Sequence, residues 1–137
     1  MAGNIHLEVV TPEKIVVSEE AQIVASPGSQ GEFGVLIGHT PFLTSLKTGT
    51  IRYTDASGKE LFVFVSGGFA EALPDKVTVL AESAEVSTDI DINRAKEALA
   101  RAEKRLAEER TREDIDFARA RAALERATVR IRVAGLS

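Results

Sequence analysis

Four arginines in the C-terminal third stand at spacings that suit anion binding. Arg94 and Arg101 are seven residues apart, hence on one face of a helix, and Arg126 and Arg130 are four apart on a second. If the two helices run antiparallel with Ile92 beside Ile131 and Ala95 beside Ala127, Arg94 falls close to Arg130. Arg126 then falls between Arg94 and Arg101. Four guanidinium groups would converge on one end of a closed hairpin, a site for phosphate or another anion. The competing reading makes them solvated charges, some paired with Glu97 or Glu125 in exposed salt bridges worth little. Nucleic acid is disfavoured there, because that surface has no aromatic residues for stacking.

Other chemistry is thin. His39 lies in Gly38-His39-Thr40-Pro41 with Glu32 a few residues upstream, but a His–Glu dyad here has no nucleophile to serve. Cysteine is absent and no Gly-x-Ser-x-Gly elbow occurs. A loop histidine bonded to backbone or to a partner is the better reading. Ser66-Gly67-Gly68 lacks the Lys-Ser/Thr of a phosphate loop and precedes no helix, so a tight turn is expected. Without cysteine there are no disulfides, zinc fingers or iron–sulfur clusters, and His6 and His39 alone exclude a multi-histidine metal site. The expectation is a protein that is not an enzyme, with no metal and no catalytic residue.

The chain that must position these groups has 137 residues, 44% of them hydrophobic and 28% charged, as expected of a soluble protein with a sizeable core. Its net charge is -4, with one Tyr and no Trp, which argues against nucleic acid as a general partner. The longest apolar run, Leu61-Phe62-Val63-Phe64-Val65, is far short of the roughly 20 residues that span a bilayer. The first residues have neither the basic and apolar regions of a signal peptide nor the arginines of a transit peptide. A reducing compartment is expected.

Composition divides the chain near residue 87. Residues 1–87 hold nine of the ten glycines and all four prolines, with 5 basic and 11 acidic residues. Residues 88–137 hold 12 basic and 10 acidic residues and no breaker before Gly135. Two pieces with different tasks follow: an all-β domain over 1–87 and a helical hairpin over 88–137. In the first, β-rich runs alternate with turn signals every eight to twelve residues, the pattern of a sandwich or barrel. Strands are predicted at 5–10, 14–18, 21–26, 31–36, 50–54, 61–65, 69–73 and 76–80. The run 61–65 is apolar on both faces, so it should be central or covered from outside the domain. In the second piece, Ile92, Ala95, Leu99, Ala102 and Leu106 form a heptad seam, matched by Phe117, Ala120, Leu124, Ala127 and Ile131. Thr88-x-x-Asp91 and Thr111-x-x-Asp114 read as helix-start boxes. Alanine at alternate seam positions buries little area, so the hairpin should be marginally stable.

The motifs resemble those of the epsilon-subunit family of F-type ATP synthases. The resemblance lies in 31–44, Gly-Glu-Phe-Gly-Val-Leu-Ile-Gly-His-Thr-Pro-Phe-Leu-Thr; in Ser66-Gly67-Gly68-Phe69-Ala70-Glu71 with Val77-Thr78-Val79-Leu80-Ala81; and in Asp89-Ile90-Asp91-Ile92-Asn93-Arg94-Ala95. Ile37 departs from the family's proline. The resemblance covers essentially the whole chain and implies a β + α fold, a flattened ten-stranded β-sandwich followed by an antiparallel two-helix hairpin. It implies a non-catalytic rotor subunit of the central stalk, bound to the gamma subunit and the c-subunit ring, that couples proton-driven rotation to ATP synthesis. Glu32 and His39 would lie near those contacts. The hairpin would brake ATP hydrolysis when extended towards the alpha and beta subunits, with Arg119, Arg121, Arg126 and Arg130 facing their acidic surfaces. When folded it would bind ATP as a regulatory ligand through Ile90, Asp91, Arg94 and Ala95, with Glu85, Arg101, Arg126 and Arg130. No cofactor is required, no membrane is entered, and the expected place is peripheral, on the cytoplasmic face of a bacterial plasma membrane.

Overall fold

A computed structural model describes residues 3–109 and 114–136. β1 (Ile5–Val10) alternates buried and half-buried side chains, so Ile5, Leu7 and Val9 all point inward and are fully buried. It pairs antiparallel with β2 (Ile15–Gly28) and parallel with β8 (Lys76–Leu80). β2 is long enough to serve both layers. Its first half pairs with β1, and its second with β3 (Gly31–Val35) and β5 (Gly49–Asp55), after a register slip between Ala21 and Ile23. β4 (Phe42–Ser45), β6 (Glu60–Ser66), β7 (Phe69–Leu73) and β9 (Ser83–Val86) complete the order β4-β7-β8-β1-β2-β5-β6-β9. Side chains from both layers meet in one core that includes Leu7, Val24, Ile51, Val63 and Val77.

Several sequence expectations are corrected. The segments 14–18 and 21–26 are one strand. Glu19, which lies between the two predicted segments, is half-buried opposite Leu7 and close to the Tyr53 hydroxyl. Burial, reinforced by Glu19, raises the Tyr53 hydroxyl pKa well above its usual value. β4 and β9, too short and polar to stand out, were not predicted. The described residues hold nine strands rather than ten. The turn at 66–68 is as expected: Gly67 and Gly68 have φ of +70° and +100°, and a Cβ on Gly68 would collide with the Leu80 carbonyl oxygen. Between β5 and β6, Asp55 accepts hydrogen bonds from the Ser57 hydroxyl at 2.7 Å and from the Ser57 and Lys59 N–H groups at 2.9 Å each, which lowers its carboxyl pKa.

A 3-10 turn (Ser87–Asp89) leads into α1 (Ile92–Glu109), and α2 (Asp114–Ala134) returns against it. The cap of α1 is Asp91 rather than Thr88. Its carboxylate accepts the Arg94 N–H at 3.0 Å and its carbonyl accepts that of Ala95, also at 3.0 Å. The box at Thr111 lies outside the described residues. Ala95, Ala102, Ala120 and Ala127 are the buried seam positions, whereas Ile92 and Phe117, expected in the seam, are exposed at its ends. A different face of α2 reaches the sandwich. Val129 and Val133 pack on Phe64, flanked by Phe62 and Ile90. The second apolar face of β6 is therefore covered by the chain's own hairpin.

Candidate functional site

Where the hairpin meets the sandwich, one arginine makes the closing contact. Arg130 lies on the face of α2 next to β9, and its Nε donates to Glu85 Oε1 at 2.7 Å. Its Nη2 donates to the Ser83 hydroxyl at 3.0 Å, and its guanidinium carbon stands 4.3 Å from the Phe64 ring centroid. A cleft of about 570 Å³ opens beside this contact, a size that suits a small ligand. Its walls are the β1–β2 turn (Thr11, Glu13, Lys14), the segment 82–85, Ile90 and Asp91, the inner turns of α1 (Arg94, Ala95, Ala98, Arg101) and Arg130.

The cleft thus gathers Glu85, Ile90, Asp91, Arg94, Ala95, Arg101 and Arg130, seven of the eight residues singled out in sequence. Arg126 is not among the lining residues. It sits one helical turn before Arg130, farther from the Glu85 and Ser83 side chains that hold Arg130. The expected convergence of four arginines is therefore one of three. Of the pairings in the competing reading, with Glu97 or Glu125, none is present among the described residues; Arg130 pairs with Glu85 instead. Arg94 and Arg101 make no ion pair among the described residues, so their guanidinium groups are available to an anion.

Glu32 and His39 form no dyad. Glu32 accepts a 2.6 Å hydrogen bond from Arg52, while His39 Nδ1 donates to the Thr40 carbonyl at 2.7 Å. The His39 ring lies 5.2 Å from Phe42, which meets Phe33 edge-on at 4.8 Å. Among the described residues no group of three His, Cys, Asp or Glu side chains could hold a metal ion. No described helix is long and apolar enough to cross a membrane.

A second surface was not anticipated. On the outer face of the sandwich Phe69 stands opposite Leu80, Leu80 opposite Val10, and Val10 opposite Ile15. Phe69, Leu80 and Ile15 are each more than half exposed. An uncharged band thus runs across four strands, the kind of patch that marks an interface. Single apolar residues at scattered sequence positions carry no signal until pairing aligns them.

A β-sandwich whose outer strand face is covered by a helical hairpin, fastened by one arginine beside a cleft lined by three arginines, defines the class. The sandwich matches the family description "ATP synthase, Delta/Epsilon chain, beta-sandwich domain" over residues 4–87. The hairpin matches the companion long alpha-helix domain over 88–135. An ATP synthase epsilon chain of Desulforapulum autotrophicum is 68% identical over 108 residues, which is 79% of this chain and 80% of that one. That of Desulfatibacillum aliphaticivorans is 67% identical over 106 residues, 77% of this chain and 75% of the other. The fold also matches a chain in the cryo-EM structure of the Euglena gracilis mitochondrial ATP synthase with a TM-score of 0.79 at 23% identity, covering 98% of this chain and 82% of that one. The chain belongs to the ATP synthase epsilon-chain family, non-catalytic subunits of that complex.

Proposed function

We propose that this subunit acts in the central stalk, where its sandwich couples c-ring rotation to ATP synthesis and its hairpin, when extended, restrains ATP hydrolysis. The carrying observation is how small the fastening of hairpin to sandwich is among the described residues: Val129 and Val133 on Phe64 beside Phe62 and Ile90, and the one side chain of Arg130 on Glu85, Ser83 and the Phe64 ring. An element held by so few contacts suits two packings separated by a few kcal/mol. ATP in the cleft favours the closed packing by its differential affinity for it. Arg94 and Arg101 neutralise phosphates, while Asp91 and Glu85 order the walls. The apolar band through Phe69 and Leu80 suits the gamma subunit, and Glu32 on β3 and His39 in the loop after it suit polar contacts with gamma and the c-ring. Association with the membrane is then peripheral, through these partners.

The test is ATP hydrolysis by a catalytic head depleted of this subunit. Adding the full chain should inhibit, and adding a chain that ends at Ser87 should bind without inhibiting. Binding by both with inhibition by neither would remove the brake and leave the coupling role. Failure of both to bind would overturn the reading.

A further inference from the structure

One wall of the cleft comes from a turn that no motif marked. Thr11-Pro12-Glu13-Lys14 joins β1 to β2 and is tied to itself: the Thr11 N–H donates to the Lys14 carbonyl at 2.9 Å. The Thr11 hydroxyl oxygen accepts the N–H groups of Glu13 and Lys14 at 3.3 Å each. This makes a tied turn on which Lys14, exposed and lining the cleft, has no side-chain ion pair or hydrogen bond among the described residues.

Charge shows what that lysine does. The lining carries four cations, Lys14, Arg94, Arg101 and Arg130, and four acids, Glu13, Glu82, Glu85 and Asp91. Two of the acids are engaged, Glu85 with Arg130 and Asp91 with the N–H of Arg94. With Lys14 the charged residues of the lining balance; without it the acids outnumber the cations by one, which weakens attraction for phosphate. Lys14 is also the one lining cation carried by the sandwich, since the other three move with the hairpin.

We propose that Lys14 is a ligand for the phosphate chain of the nucleotide in this cleft, so that the bound anion bridges sandwich and hairpin. This rests on the reading that the cleft takes ATP, and it explains why ATP would favour the closed form. Cations from both domains face one another only when the hairpin is docked, so opening the hairpin splits the phosphate site in two. An ammonium on a rigid turn acts as a point charge, and its contact with phosphate is charge-assisted.

Calorimetric titration of the full chain with ATP tests the proposal, using wild type, Lys14→Met, Lys14→Arg and Arg94→Ala. Lys14 is exposed on a turn, so its replacement leaves the fold intact. Lys14→Met should weaken ATP binding about tenfold, the scale of one charge-assisted hydrogen bond, and Lys14→Arg should restore most of it. If Lys14→Met binds ATP as wild type does while Arg94→Ala is weakened, the role of Lys14 is overturned and the cleft reading stands. If Lys14→Arg binds no better than Lys14→Met, the charge is not what matters and the proposal fails. If wild type does not bind ATP at millimolar concentration, both readings fail together.

Discussion

The sandwich and the hairpin are each closed by apolar contacts, but of different sizes. Inside the sandwich, Ile5, Leu7, Val9, Ile51 and Val63 are fully buried, each worth about 1.5–3 kcal/mol relative to exposure. Along the hairpin seam the buried positions are Ala95, Ala102, Ala120 and Ala127, whose methyl groups contribute about 0.8 kcal/mol apiece. Leu99, Leu106, Leu124 and Ile131 are only half-buried along it, and buried branched side chains return where α2 touches β6, at Val129 and Val133. The sandwich has many mutually supporting contacts and can lose one. The hairpin depends on its attachment, because two helices joined by an alanine seam gain little by packing on each other alone. One polypeptide therefore joins a rigid body to an arm whose position is cheap to change.

That contrast breaks first in the sandwich. Leu7→Ala should destabilise the whole protein by about 3 kcal/mol, through lost burial and a cavity in a rigid surround, visible as a shift in the denaturant midpoint of every probe. Val133→Ala should cost less, about 2 kcal/mol, and act locally. Hydrogen exchange should show the amides of 92–134 losing protection while those of β1 and β8 keep theirs. Equal loss in both regions would mean the two parts unfold as a unit. The smallest effect lies at high pH. Because the folded-state pKa of Tyr53 is raised, the stability it contributes is full below the unfolded value near 10 and is lost as pH rises through the folded value. Stability should therefore decline above pH 10, and Tyr53→Phe should flatten that decline without altering hairpin protection.

Much of this architecture is written locally. β1, β7 and β8 have the bounds their alternation predicts, and the paired helices follow from seam spacing. In sequence β2 reads as two strands, 14–18 and 21–26, because the charged pair Glu19-Glu20 between them has no apolar alternation, whereas Glu19 sits half-buried near Tyr53 of another strand. β4 and β9 are four residues each, too short for a periodic signal. In the cleft, Arg94 and Arg101 are legible because one helix carries both. Lys14 is not, since its nearness to them depends on α2 docking upon Phe64 and has no trace in sequence spacing. Arg130 is legible from helix register, whereas Glu85, 45 residues before it, is legible only through resemblance.

Phe64 has one more consequence. With α2 in place it is completely buried, on the face of β6 opposite the sandwich core. If the arm swings away, an aromatic side chain and its neighbour Phe62 are left in water, next to the short terminal strand β9 of the sheet order. A phenylalanine buries on the order of 150–250 Å², so that bare face is adhesive. An opened free chain would cluster with its own copies, and opening without clustering requires another surface to take the helix's place. The same ring that anchors the arm thus ties its release to the arrival of a substitute.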